Sequence, residues 1–352
     1  MLYRGSFAAG FGPLVRHLLD RDYPRSVDAV PAADDSSILF RADRPVRRPP
    51  YLKSLAAVLD AQAAADLEKA CGLFADGLAQ KNARESLTAC TRDAAFFRGK
   101  TPATFVLRTL DQGEPSAVGK AARTRLEERI RGLTGLRPDS ERPDLVVQVQ
   151  RRSDGTAYLV VPEQERHPEQ VPKGALPPAT ARLLCELSRP GPQDVFLDPF
   201  MGSGAIVLER ARLGAFKMLF AGDADAAAVE AFKERLKEAA WSKRRRLMFP
   251  KLLDARDLSR FEPGFVNVMV TDPPWGVYSD LDRRELADLY ARFLDQARRV
   301  LAPAGRLVLL TGRDVPLPPG LGGEAPAWRI TEEYLVLISG LKARALLLEK
   351  GT

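Results

Sequence analysis

Val195-Phe-Leu-Asp198-Pro199-Phe-Met-Gly202-Ser-Gly204-Ala205 is an apolar run that ends in an acid and two closely spaced glycines. The apolar run reads as a buried strand and the residues after Gly204 as a helix, which puts both glycines in a strand-to-helix turn. Glycines there let the backbone approach a ligand that a Cβ would push away, and the opening of the helix directs free N–H groups into the same space. The acid decides what kind of ligand. Asp198 would repel a pyrophosphate, the third glycine of a dinucleotide fingerprint would fall at Val207, and no Gly-Lys-Ser/Thr follows as a phosphate-cradling loop requires. A cationic ligand suits the turn better, and S-adenosylmethionine carries an ammonium and a sulfonium in place of phosphates.

Outward from this turn, strand and helix alternate. Helices are expected at 179–187, 205–213, 226–240 and 284–301, and strands at 217–221, within 246–253, at 266–271 and at 306–311. Such alternation argues a mostly parallel sheet with helices on both faces and ligand sites at the carboxyl ends of the strands. Residues 333–338 and 343–349 read as a closing antiparallel hairpin. Three acids then fall at successive strand ends. Asp198 is placed for the methionine ammonium, Asp223 for the ribose hydroxyls and Asp254 for the adenine amino group. Pro199, Gly202 and Gly204 complete the expected donor site. Asp225 and Asp257 read as turn or cap residues, with Asp225 as the N-cap of the next helix.

The fourth strand ends in Thr271-Asp272-Pro273-Pro274-Trp275-Gly276. Consecutive prolines remove backbone donors and stiffen the loop, leaving the Asp272 carboxylate and the Pro273 carbonyl as acceptors beside the pocket. An exocyclic amino group has two N–H donors to match. Trp275 offers a flat face on which an extruded base could stack. Asp272, Pro273 and Trp275 are therefore the expected catalytic set, with Asp272 also bordering the donor. His17 and His167 are not required, and Cys71, Cys90 and Cys185 are too few and too scattered for a disulfide framework or a metal cluster. No metal is expected.

At 352 residues the chain has room for two cores. No stretch is long and apolar enough to span a bilayer and the start has no leader pattern, so a cytoplasmic location is expected. Residues 1–162 hold 25 Lys+Arg against 20 Asp+Glu, and the remainder 28 against 26, so most of the net +7 lies in front. That surplus is compatible with a polyanionic partner and equally with an ordinary solvated surface. In this part a helix is expected from Gly12-Pro13, strands at 37–41 and 105–108, a helical stretch over 52–80, a helix over 117–131, and a hairpin of 145–149 with 156–161 through Asp154-Gly155. Arg44, Arg47 and Arg48 lie in a proline-rich, exposed basic loop, and Lys243, Arg244, Arg245 and Arg246 form the dense basic run of the rear part. Both are candidate RNA contacts. Residues 163–178 read as a linker between a front region, 1–162, and a rear domain, 179–352.

Residues 175–311 resemble the amino-methyltransferase branch of the class I S-adenosylmethionine-dependent methyltransferases, whose signature is an Asp/Asn-Pro-Pro-aromatic quartet. Leu176-Pro-Pro-Ala-Thr-Ala181 ahead of Asp198-Pro-Phe-Met-Gly-Ser-Gly is similar to the THUMP-domain RNA guanine-N2 methyltransferases, with Met201 where that family usually has cysteine. Phe7-Ala-Ala-Gly-Phe-Gly-Pro-Leu14 resembles the family's opening segment, and Asp144-Leu-Val-Val-Gln-Val149 with Ala157-Tyr-Leu159 resembles the end of a THUMP domain. The resemblance implies a Rossmann-like methyltransferase domain behind an α+β THUMP-like RNA-binding region. It also implies S-adenosylmethionine as donor and structured RNA, most often tRNA, as the partner whose guanine amino group is methylated. An adenine-N6 methyltransferase of DNA or RNA, a protein-glutamine methyltransferase and a non-catalytic RNA-binding protein of the same fold remain open on the residues alone.

Overall fold

The computed structural model describes residues 1–24, 30–31, 35–42, 46–78, 81–98, 101–163, 175–277, 281–319, 321 and 327–351. The chain divides into two units, Met1–Ser6 with Arg16–Pro168, and Phe7–Val15 with Glu169–Thr352.

The first unit runs β1 (Leu2–Ser6), α1 (Gly12–Asp22), β2 (Val30–Pro31), β3 (Ser37–Arg41), β4 (Ser54–Ala63), α2 (Leu67–Gly77), α3 (Lys81–Arg98), β5 (Thr104–Asp111), β6 (Glu114–Pro115), α4 (Lys120–Thr134), β7 (Arg137–Pro138), β8 (Leu145–Arg151) and β9 (Thr156–Pro162), the opening turn of α1 belonging to the second unit. The strands form one sheet in the order β2-β3-β1-β4-β9-β8-β5-β6, with β7 also on β5. The expected hairpin is β8 with β9, antiparallel, its turn closed by Asp154 accepting the Thr156 N–H at 2.8 Å and by Gly155 at φ +80°. The expected helical stretch over 52–80 is corrected. Ser54–Ala63 is a strand between β1 and β9, and only Leu67–Gly77 is helical, capped by Asp66 accepting from the Lys69 N–H. Alanine-rich sequence favours helix in isolation, but pairing on both edges, with Leu55–Leu59 buried, overrides that preference.

The second unit continues with α5 (Pro178–Leu187), β10 (Val195–Asp198), α6 (Ala205–Leu213), β11 (Met218–Asp223), α7 (Ala226–Arg235), β12 (Met248–Leu252), β13 (Val266–Thr271), α8 (Arg283–Val300), β14 (Leu301–Gly312), β15 (Trp328–Ile338) and β16 (Leu341–Lys350). The sheet order is β12-β11-β10-β13-β14-β16-β15, parallel through β14 and antiparallel in the last two pairings. This is the expected doubly wound sheet with its closing hairpin. Helix α8 starts with a reciprocal capping box, Asp282 with Glu285, and buries Leu286, Tyr290, Phe293, Leu294, Ala297 and Val300, one stripe at helical spacing. That stripe joins the core made by β10, β13 and β14 and thereby places the amino end of α8 beside the strand ends that matter.

Segment Phe7–Val15 belongs to this second unit although it precedes the first in sequence. The Leu337 N–H donates to the Ala9 carbonyl at 3.0 Å and Phe11 packs on Tyr334 with ring centroids 5.6 Å apart. Gly10, at φ +96°, lies so close to β15 that a Cβ would meet the Leu335 carbonyl oxygen at 1.9 Å. The segment thus covers an otherwise open sheet edge. A division of the chain at 162 and 178 does not separate these residues.

Candidate active site

The central strand β10 delivers Asp198 into a buried position between β11 and β13. Its Oδ1 accepts the Thr271 hydroxyl at 2.7 Å and the Phe200 N–H at 3.2 Å, whereas Oδ2 is buried with no hydrogen-bond partner among the described residues. Burial pushes the carboxyl up to about 8; the bonds from Thr271 and Phe200 pull the other way, and Asp223 and Asp272 add to the rise. A lone buried carboxylate oxygen is costly, and a cationic hydrogen-bond donor would satisfy it.

The turn after Asp198 is held from β11. Met201 donates its N–H to the Gly222 carbonyl at 2.8 Å, and the Gly202 N–H donates to Asp223 Oδ2 at 2.8 Å. Asp223 Oδ1 accepts the Asp225 N–H at 2.9 Å, so each oxygen of this acid carries one backbone bond and keeps capacity for another donor. Asp225 caps α7 through the Ala227 N–H at 2.8 Å, as expected. The two glycines serve different ends. Gly202, at φ +48°, faces open space, which fits close approach of a ligand. Gly204, at φ +80°, faces the Phe232 ring, which a Cβ would meet at 2.3 Å. The expectation that a side chain at 204 would fill ligand space is corrected: it would collide with α7. Gly204→Val is therefore expected to lower the thermal midpoint by several degrees, about 2 kcal/mol or more, in differential scanning fluorimetry of the donor-free protein. A variant as stable as the parent would contradict this.

A cavity of about 550 Å³ opens at these strand ends, lined by Pro199, Phe200, Asp223, Asp254 and Pro274 and by α8 residues that include Arg292. Asp254 is partly engaged already. Arg256 binds its carboxylate by Nε at 3.0 and 3.1 Å and Nη2 at 2.7 Å, and the Arg256 N–H adds a fourth bond at 2.9 Å. This clamp holds Asp254 below the usual carboxylate range. The Nε–H is shared between the two oxygens, so three hydrogens of Arg256 occupy the carboxylate, which is 42% exposed and keeps capacity for one further donor such as an adenine amino group.

At the end of β13, half-buried Asp272 accepts the Trp275 indole N–H on Oδ1 at 2.8 Å, while Oδ2 meets no donor among the described residues. Burial pushes Asp272 up to about 7, with the Trp275 bond opposing. Trp275 is half-buried against the core of the unit, so its expected stacking face is only partly open. Two residues that sequence reading overlooked organise this loop. Tyr290 of α8, fully buried, donates to the Pro274 carbonyl at 3.2 Å and shares a 3.0 Å hydrogen bond with Thr311 of β14. Thr271, directly before the quartet, ties it to Asp198. A threonine closing a strand directly before the Asp-Pro-Pro-Trp quartet is the available signal for the second; nothing local marks Tyr290.

Arg44 is outside the described residues. Arg47 is exposed, but Arg48 donates to the Leu52 and Lys53 carbonyls at 2.8 and 3.2 Å, and its N–H to Glu163 at 2.7 Å, which closes its own loop. Val46 and Pro49 are buried, so the loop is less exposed than its composition suggests. Lys243, Arg244, Arg245 and Arg246 precede β12, at the amino end of an edge strand, opposite the carboxyl ends that carry the acids. His167 lies outside the described residues. The three cysteines are buried and form no disulfide among the described residues, in which no group of His, Cys, Asp and Glu could hold a metal either. Among them, too, no helix is long and apolar enough to cross a membrane.

Residues 166–344 match the UPF0020 family, the RMKL-like methyltransferase domain. The chain is also 33% identical over 246 residues to the tRNA (guanine(6)-N2)-methyltransferase of Thermus thermophilus, across 68% of this chain and 70% of that one. The chain belongs to the RMKL-like methyltransferases. This RMKL-like methyltransferase is further 30% identical to the tRNA (guanine(10)-N2)-dimethyltransferase of Methanothermobacter thermautotrophicus, over 51% of its own length and 54% of the relative's. The crystal structure of TrmN from Thermus thermophilus superposes with a TM-score of 0.71 at 25% identity, covering 99% of both chains. SMU.472, solved in complex with SAH, shares the fold with a TM-score of 0.64 at 13% identity.

Proposed function

We infer that this RMKL-like methyltransferase transfers a methyl group from S-adenosylmethionine to the N2 amino group of a guanine in tRNA. One observation carries the reading: a buried acid with an oxygen unpartnered among the described residues, Asp198, adjoins through Thr271 the Asp-Pro-Pro-Trp loop at the end of the neighbouring strand. The first suits the ammonium of the donor and the second an acceptor with two N–H groups. Asp223 keeps lone pairs for ribose hydroxyls, Gly202 leaves room for the ligand, and Asp254 would take the adenine amino group on the acceptor capacity that Arg256 leaves open. S-adenosylmethionine supplies a methyl group on a sulfonium, which departs as a neutral thioether without needing an acid.

The chain's own residues then do three things. Asp272 Oδ2 and the Pro273 carbonyl accept the two amino protons, which turns the nitrogen lone pair out of conjugation. Holding nitrogen and methyl in line can supply about 7–11 kcal/mol in the best geometries. As the N–C bond forms, the nitrogen becomes acidic and its proton passes to the Asp272 carboxylate. We assign the holding of RNA to the first unit, on its surplus of positive charge and on the tRNA named for the similar proteins. In a strain lacking this chain, mass spectrometry of tRNA nucleosides is expected to show loss of N2-methylguanosine from one tRNA class. Loss of N6-methyladenosine instead would favour an adenine acceptor, and an unchanged nucleoside profile would sink the proposal.

A further inference from the structure

The quartet needs an acid whose one oxygen is presented to the acceptor, and a carboxylate on a short stem can rotate both oxygens into the same place. The Trp275 indole donates to Asp272 Oδ1 at 2.8 Å, three residues along the same loop. The indole itself cannot drift. It packs against the core, and Gly312 at the end of β14 is so close that a Cβ there would lie 3.2 Å from the Trp275 Cβ. The loop between them is stiffened by Pro273 and Pro274, and Tyr290 holds the Pro274 carbonyl. A phenylalanine in place of Trp275 would offer a similar ring without the donor.

We propose that Trp275 is a positioning residue that acts through its indole N–H, fixing Asp272 Oδ1 so that Oδ2 is the oxygen offered to the acceptor amino group. The inference deepens the reading of Asp272 given above and rests on it. An N–H bond to a carboxylate also favours its ionised form, so the same contact holds Asp272 ready to accept at neutral pH against its burial. The other groups about this carboxyl are Asp198 of β10, which without a cation keeps its proton up to about 8 and so is uncharged while Asp272 ionises, and Tyr290 of α8, kept neutral by burial and bonded to Thr311 of β14, with Arg344 of β16 acting on Tyr290.

The test compares the pH dependence of single-turnover methyl transfer by the full-length parent, Trp275→Phe and Asp272→Asn. Trp275→Phe is expected to move the acid limb up by about one pH unit and to lower the rate at pH 7 about fivefold, with affinity for S-adenosylhomocysteine unchanged. An unmoved acid limb in Trp275→Phe would overturn the inference. A fully active Asp272→Asn that keeps the parent's acid limb would instead overturn the reading of Asp272 on which it rests. A second measurement needs no tryptophan variant. The chain has three tryptophans, and in ¹⁵N spectra of the parent one indole N–H signal is expected to titrate near pH 7 and to stop titrating in Asp272→Asn. If none of the three titrates near pH 7, the contact does not report on Asp272 and the inference fails.

Discussion

Asp272→Ala is expected to lower kcat about a hundredfold while leaving affinity for S-adenosylhomocysteine within about twofold. Asp272 sits at the end of β13 and accepts from Trp275, not from any group of the donor turn, so its removal leaves Asp198, Gly202 and Asp223 in place. What is lost is an acceptor whose bonds strengthen as the nitrogen gives up its lone pair. By analogy with the loss of one oxyanion donor, that costs about 2–4 kcal/mol in the transition state. Burial also sets the pH profile. Asp272, pushed up to about 7, must be ionised to accept, so activity of the parent should rise with pH through about 7 and level off above it. Rapid-quench kinetics with calorimetry on the same preparations separates the two effects. Donor binding abolished by Asp272→Ala would move this acid into the donor site.

Asp198→Asn is expected to weaken donor binding by about 10–100-fold and, at pH 8, to raise the thermal midpoint of the donor-free protein. Both effects follow from one oxygen. Asp198 Oδ2 is buried without a partner among the described residues, and pairing it with an ammonium recovers a charge-assisted bond of about 1.5–3 kcal/mol. Without that cation the carboxyl holds its proton up to about 8, well above the ordinary 3.8. The folded state therefore binds the proton more tightly than the unfolded chain, and stability falls as pH rises from about 4 through 8. Asparagine removes that penalty together with the charge. At pH 7, donor binding to the parent should release close to one proton, seen as a binding enthalpy that varies with the ionisation enthalpy of the buffer; the variant should show no such dependence. Equal affinity in both proteins would refute the assignment of Asp198 to the ammonium.

The parts of this site legible in the sequence are those whose chemistry is local. Asp198 with Gly202 and Gly204, and Asp272 with Pro273 and Pro274, each lie within a few residues of a strand end, and the alternation of strand and helix orders those ends along one sheet. What was not legible depends on partners far away in sequence. Gly204 is fixed by Phe232 from α7, and the quartet by Tyr290 from α8 and Thr311 from β14. Ser54–Ala63 is a strand only because β1 and β9 flank it, and Phe7–Val15 leaves its sequence neighbours for β15, which lies over 300 residues on. The Arg256 clamp on Asp254 is close in sequence, but spacing alone does not tell whether an arginine two residues from an acid folds back on it. Charge composition was the weakest guide. Arg48 uses Nη1 and its backbone N–H within its own part of the unit, and Lys243–Arg246 stand at the opposite end of the strands from the acids.

The most direct measurement incubates the purified full-length protein with an unmodified tRNA transcript and methyl-labelled S-adenosylmethionine, then digests the RNA to nucleosides. Label in N2-methylguanosine, reduced about a hundredfold by Asp272→Ala in a protein that still binds S-adenosylhomocysteine, is the expected result. Label in N6-methyladenosine, or no label from a protein that binds both tRNA and donor, would contradict the account.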